Sequence, residues 1–177
     1  LSDLLAVRWY PIENYFGILP LITGSLIITV GAMLIAFPFG IATAVFISEI
    51  APRWVREILK PLVELLAGLP SVVLGFLGIL VLSPFLRVFL NLPTGLTALA
   101  GSILLGGIAV PTIVSIAEDA LDAVPRSYRE GAWALGATRW QTIWRVTLPA
   151  ARSGVLTAVM LGIGRAIGET MTVMMVT

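Results

Sequence analysis

The stretch Ser127 to Pro149, SYREGAWALGATRWQTIWRVTLP, decides how the rest of the chain is read. It is polar, carries Arg129, Arg139 and Arg145, and lies between hydrophobic runs long enough to cross a bilayer. Ser127-Tyr128-Arg129-Glu130 fits the capping box, in which hydroxyl and carboxylate each satisfy an orphan backbone donor, so a short helix is expected to begin at Ser127. Gly136 is placed to end that helix in the left-handed conformation. Thr138-Arg139-Trp140-Gln141 repeats the box and predicts a second helix, closed by Pro149. A helix, a glycine turn and a helix read as a docking platform and not a catalytic site, because a mere connection could be far shorter. A solvated amphipathic loop is the plain alternative. A DNA-binding helix-turn-helix is excluded by context: spans flank the pair closely, and Trp140, Ile143 and Trp144 suit a protein groove or the membrane interface better than base edges.

Composition sets the class. With 58% hydrophobic residues, 12% charged and a mean hydropathy of +1.02, the chain is too apolar for a soluble domain, whose charged share would be about 25%. It reads as an integral membrane protein in contact with the lipid bilayer. The net charge of +1 carries no nucleic-acid signal. Cysteine and histidine are both absent, which removes disulfides, thiol nucleophiles, catalytic triads and the commonest zinc sites. No cofactor or metal is expected. The chain starts at Leu1 and stops inside the apolar run MTVMMVT, so it is expected to be a fragment lacking a span at each end. Leu1 to Pro11, with Asp3 and Arg8, is no signal-peptide core.

Charge-free runs place the spans, since about 20 residues cross about 30 Å of hydrocarbon. They predict spans at about 18–48, 61–86, 96–117 and 154–177, with a loop at 118–152 and a single domain over 1–177. Pro38 is expected to kink the first, Pro70 with Gly68 to break the second and Pro111 to kink the third. Arg53, Arg56 and Lys60 lie between the first two spans, and Arg126, Arg129, Arg139, Arg145 and Arg152 between the last two; the other side has only Arg8 and Arg87. The positive-inside rule then makes the long loop cytoplasmic and starts the chain outside.

Glu130-Gly131-Ala132, three residues, Gly136, nine residues, then Val146-Thr147-Leu148-Pro149 resembles the EAA loop of ABC importer permeases, E-A-A-x3-G-x9-I-x-L-P. Gly131 and Val146 depart from it mildly, although Gly131 weakens a helix by roughly 0.5 to 1 kcal/mol relative to Ala. The segments LAGLPSVVLGFLG (66–78), EDALDAVPRSYREGAWALGATRW (118–140) and GRAIGETMTVMMV (164–176) are similar to phosphate-specific permeases of the PstC type. The resemblance implies an all-α polytopic transmembrane helical bundle with the type I ABC importer permease fold and a cytoplasmic coupling helix. Ser127, Glu130, Gly131, Ala132, Leu135, Gly136, Ala137, Thr138, Leu148 and Pro149 would form the ATPase-docking loop. It further implies cytoplasmic ABC ATPase subunits, a homologous second permease of the PstA type and a periplasmic phosphate-binding protein as partners, in the inner membrane. Sulfate and molybdate permeases have related Arg and Glu elements, so they stay open as substrates.

Arg165 lies thirteen residues after Arg152, roughly 20 Å up a helix and therefore near the bilayer centre. That placement costs about 2.5 to 3.5 kcal/mol on insertion scales, so the side chain must face a partner or a water-filled path. Glu169, at i, i+4, is the expected ion-pair partner. Two readings are open: the pair cements neighbouring helices, or Arg165 offers its planar fork to an oxyanion while Glu169 holds it in place. Ser71, after the Gly68-Leu69-Pro70 break, and Thr112, after Pro111, are the further path candidates, each with a packing kink as the plain reading. Glu118, Asp119 and Asp122 are expected to bridge to nearby arginines, and Glu64 to pair with Lys60. Lys60 is the single lysine and Pro61 follows it, so no G-x-x-x-x-G-K-[ST] loop exists and ATP hydrolysis falls to a partner. The chain is therefore expected to be no enzyme but a permease for inorganic phosphate working by alternating access. A proton-coupled secondary transporter using Arg165 and Glu169 is the alternative of a different class, and a non-transport scaffold the third.

Overall fold

Residues 9–10, 15–169 and 171–176 are described by the structure, a computed structural model. Asp3 and Arg8 of the N-terminal reading, and Thr170 of the GRAIGET element, lie outside the described residues. Trp9–Tyr10 (β1) and Tyr15–Phe16 (β2) pair antiparallel, Trp9 opposite Phe16 and Tyr10 opposite Tyr15. Everything else described is helix or connection.

The long uncharged run forms α1, Leu19–Val45, which at 27 residues is about 40 Å long. Pro38 sits inside it without breaking it. The helix widens instead at Phe46–Ile50, a π turn in which Ala51 N–H bonds the carbonyl five residues back. Extended backbone at Ala51 and Pro52 then starts α2, Arg53–Ala67, which has no buried residue. Its apolar positions Trp54, Ile58, Leu62 and Leu65 recur at helical spacing on one exposed face, with Arg56, Lys60 and Glu64 set apart from them. Gly68-Leu69-Pro70 breaks the chain as expected, so the apolar helix long enough to span starts at Ser71 and Pro61 lies inside the separate helix α2. Helices α3 (Ser71–Leu77) and α4 (Ser83–Phe89) follow, continuous through a second π turn at Gly78–Leu82.

Thr97 caps α5, Ala98–Asp122, by accepting the Ala100 N–H, and the helix runs unbroken through Pro111. It is the central element: α1 packs along one side and α9 (Arg152–Gly168) along the other. Alanines at 36, 44, 109, 117 and 158, with Ile113 and Leu121, fill the core between them, and small side chains are what let backbones approach this closely. The connection from α5 to α9, expected from the sequence to be the coupling segment, comprises α6 (Arg126–Ala134), α7 (Arg139–Thr142), a third π turn (Ile143–Thr147) and α8 (Leu148–Ala150). At Ala151 the path turns by 73° into α9, and α10 (Met171–Val176) closes the described chain. Leu19–Ile50, Ser71–Phe89 and Ala98–Asp122 are each long and apolar enough to cross a membrane, and a fourth crossing is reached if Arg139–Ala150 and α9 count as one bent span. The molecule is a multi-pass membrane protein.

Candidate functional site

Arg165, in the last turn of α9, is half-buried between α5 and the end of α2. Its Nη1 donates to Thr112 Oγ1 at 2.9 Å and its Nη2 to the Ala67 carbonyl at 2.8 Å. Ala67 is the last residue of α2, so its carbonyl belongs to the negative end of that helix, where a cation is favoured. Among the described residues no other acceptor meets the guanidinium, which leaves N–H donors for something outside the chain.

The expected Arg165–Glu169 pair is not formed. The i, i+4 argument needs an unbroken helix, and α9 ends at Gly168 with Glu169 already extended at φ −83°, ψ 103°. Glu169 Oε1 accepts the Thr172 N–H at 3.2 Å and so caps the start of α10. The residue lines a different feature, an apolar cleft of about 520 Å³ between α1, α5 and α9. Ser71 also lies beside α10, but through its carbonyl, which accepts from the buried Thr172 hydroxyl at 3.1 Å. The structure thus joins Arg165 with Thr112 and leaves Glu169 and Ser71 on another contact. Ala67 was invisible in the sequence because its contribution is a backbone oxygen.

The coupling segment is built by its caps. Helix α6 starts one residue before the expected Ser127: Pro125 is its N-cap and Ser127 makes no side-chain cap, so the Ser127–Glu130 box does not form. Proline supplies the extended entry and a free carbonyl, to which Tyr128 N–H bonds at 3.1 Å. Gly136 has φ +82°, Ala137 N–H reaches the Ala132 carbonyl at 3.0 Å and Gly136 N–H the Trp133 carbonyl at 2.9 Å: a Schellman end. The second box is complete, with Gln141 N–H on Thr138 Oγ1 at 3.3 Å and Thr138 N–H on Gln141 Oε1 at 2.9 Å. Pro149 does not end the helix. It falls in the first turn of α8, just after the wide turn where the ladder is already open, and the path continues to Ala150. Ala132 is buried and Leu148 packs on the core, while Glu130 and Gly131 are exposed. Tyr128, Trp133, Trp140, Trp144 and, at 90% exposure, Leu135 stand out from this segment. Five large apolar or aromatic side chains are thus exposed on one short, otherwise polar segment.

Two ionic clusters fix the segment and α2 to the bundle. Arg129 Nη2 meets Glu49 Oε1 at 2.6 Å and the Leu121 carbonyl at 2.9 Å, and its Nη1 the Val124 carbonyl at 2.8 Å. One guanidinium therefore ties α6 to the end of α1 and to the negative end of α5. The second cluster centres on Glu118, only 2% exposed, which takes Arg56 at 2.8 Å and Lys60 at 2.7 Å. Lys60 also reaches Asp119 at 3.0 Å, and Arg56 and Ser48 both reach Asp122. Of the bridges expected to arginines, those of Glu118 and Asp122 form, to Arg56 of α2, while Asp119 takes Lys60 instead; Lys60 pairs across to α5 and not with Glu64. The hydrogen bond to Glu118 raises the Lys60 pKa, opposed by burial. A buried carboxylate stripped of its partners costs on the order of 3–5 kcal/mol, so the Glu118 contact is a lasting one. The sequence signal for both clusters was that Glu49 and Glu118 end apolar runs on the side predicted to hold the basic loops.

A family profile described as binding-protein-dependent transport system inner membrane component matches residues 36–177. The chain is 50% identical over 175 residues to a protein named probable ABC transporter permease protein YqgH of Bacillus subtilis, covering 98% of this chain and 57% of that one. It is 37% identical to the phosphate transport system permease protein PstC of Xylella fastidiosa (97% of this chain, 59% of the relative) and 38% identical to that of Mesorhizobium japonicum (97% and 58%). The chain thus spans less than three fifths of the length of these relatives. Among solved structures, a chain of the MetNI methionine ABC transporter shares its fold with a TM-score of 0.72 at 24% identity, over 83% of this chain and 68% of the other.

Proposed function

Because this chain belongs to the family of binding-protein-dependent transport system inner membrane components, we propose that it is the permease subunit of an ATP-driven importer that moves inorganic phosphate across the inner membrane by alternating access. Arg165 carries the reading. It is a guanidinium at membrane depth whose contacts with Thr112 and Ala67 orient its fork and leave donors for an oxyanion. Phosphate is the anion named for the similar PstC permeases, and this favours it over sulfate and molybdate. The exposed Tyr128, Trp133, Leu135, Trp140 and Trp144 face the cytoplasm and dock a separate ATPase subunit. A homologous PstA-type permease completes the path, and a periplasmic phosphate-binding protein delivers the anion. The proton-coupled alternative required Arg165 and Glu169 as a pair, and Glu169 instead caps α10.

The test is uptake of labelled phosphate by vesicles carrying the complete transporter, with ATP inside or outside and with a proton uncoupler. ATP-dependent uptake that survives the uncoupler and is competed by phosphate but not by sulfate or molybdate is expected. Preferential competition by sulfate or molybdate moves the substrate, and gradient-driven uptake without ATP overturns the reading.

A further inference from the structure

The Ala67 carbonyl takes an Nη2 N–H of Arg165, one arm of the fork that a bidentate oxyanion would use. What puts it there is helix α2, an element with unusual anchorage. It has no buried residue, it is bounded by extended backbone at Ala51-Pro52 and by the break Gly68-Leu69-Pro70, and its ionic anchor is the Glu118 cluster. Arg56 and Lys60 lie roughly 10 to 16 Å along the helix from Ala67, so α2 acts as a short rod held at one end. The two ends differ in strength. Glu118 is buried and doubly paired, whereas at the far end, among the described residues, the neutral Ala67 carbonyl accepts one hydrogen bond, from Arg165, next to a glycine.

We propose that α2 is a lever pivoting on its Glu118 anchor at the cytoplasmic end of α5, with Gly68-Leu69-Pro70 as the joint that lets its far end move, and that its Ala67 carbonyl competes with the transported oxyanion for Arg165. The inference rests on the functional reading of Arg165 given above. The end of α5 that holds Glu118 also gives the Leu121 and Val124 carbonyls to Arg129, so the coupling segment and α2 grip the same helix turns. A shift of the segment therefore carries α2 with it. With the carbonyl withdrawn, Arg165 is free to take the anion; with it returned, the anion is displaced and leaves. Glu118 is a positioning residue: it acts on Arg165 only through the placement of Ala67.

The test uses the complete transporter in proteoliposomes with Glu118→Gln and, because Glu118 is buried, a second change at its half-exposed partner, Lys60→Met, which keeps the Arg56 bridge. Loosening α2 frees Arg165, so the anion binds better and leaves more slowly. Maximal phosphate uptake is expected to fall about tenfold in Glu118→Gln while KM falls about threefold, with Lys60→Met changed in the same sense and Glu118→Asp near the parent. A lost rate with unchanged or raised KM overturns the proposal, because a merely structural role gives that pattern. The 177 residues hold no cysteine, so once cysteines elsewhere in the complex are replaced, spin labels at Glu64→Cys and Gly168→Cys report the distance between the ends of α2 and α9. Glu118→Gln is expected to broaden that distance, and an unchanged narrow distance overturns the lever. The label measurement needs no substrate, so it decides the lever even if the parent transporter takes up no phosphate, an outcome that would sink the functional reading instead.

Discussion

Arg165 and Lys differ in a way the site can report. Lys keeps the charge but presents one compact ammonium, which cannot hold Thr112 and an oxyanion in fixed directions. Arg165→Lys is expected to lower phosphate uptake about tenfold or more, in line with losing a charge-assisted hydrogen bond, and Arg165→Gln to abolish it while assembly with the ATPase persists. Uptake by the Lys variant at the parent rate would reduce the role to charge alone. At Arg129, truncation to Met strands Glu49, which is 9% exposed, and a cost of about 3–5 kcal/mol follows. Thermal unfolding in detergent should show it, with Glu49→Gln in the same chain recovering much of the loss. Lys60 bears on pH. Its folded pKa is raised, so its contribution is complete below the ordinary lysine value and is lost only as pH rises through the raised one. The stability difference between the parent and Lys60→Met is therefore expected to stay constant between about pH 6 and 9. Residues such as Arg165 and Thr112 were legible as polar groups in apolar runs, but their partnership was not, because it joins α9 to α5 across the bundle.

Helix ends explain most of what sequence reasoning found and missed at the level of elements. Local signals worked where all the participating atoms lie within one turn: Gly136 with its positive φ, the Thr138–Gln141 box and the Gly68-Leu69-Pro70 break. They failed where a nearer competitor existed. Pro125 preempts Ser127 as the cap, and the end of α9 at Gly168 separates Glu169 from Arg165. The amphipathic α2 was split between a basic loop and the start of the span read at 61–86, since an apolar helix face and a membrane span share the same residue types. Gly136 can be tested in steps. A Cβ there would meet nothing within 4 Å, so Gly136→Ala is opposed by the backbone alone, at about 1–2 kcal/mol. Pro fixes φ near −65°, which the turn at +82° cannot accept, and removes the N–H that bonds Trp133. Stimulation of the partner ATPase is expected to weaken modestly in Gly136→Ala and to disappear in Gly136→Pro; full stimulation in the Pro variant would remove this segment from docking.

Across the whole molecule, uncharged runs located three of the apolar helices, while the span read at 154–177 is broken after Gly168, and they said nothing about which faces meet. Lipid-facing and protein-facing side chains are equally apolar, and Leu34 at 72% exposure looks no different in sequence from Ile113 at 0%. The packing is set instead by close approaches that only the assembled bundle shows. Ile113 of α5 sits between Gly40 of α1 and Gly162 of α9: a Cβ at Gly40 would lie 2.7 Å from Ile113 Cγ2, and one at Gly162 2.6 Å from Ile113 Cγ1. One isoleucine thus sets the separation of three helices, including α9, whose last turn carries Arg165. Overfilling such a site costs about 1–3 kcal/mol or more, because the opposing backbones must move apart. Gly40→Val is accordingly expected to lower the thermal midpoint of the purified complex, and also to reduce phosphate uptake by displacing Thr112 from Arg165. Ile113→Ala alone leaves a cavity and is destabilising by about 2–5 kcal/mol. Placed together, the valine fills the space the isoleucine vacates, so the double variant should be more stable than the sum of the two single losses. Strict additivity in that cycle would mean that Gly40 and Ile113 do not share the contact, and that the spacing of α1, α5 and α9 is held elsewhere.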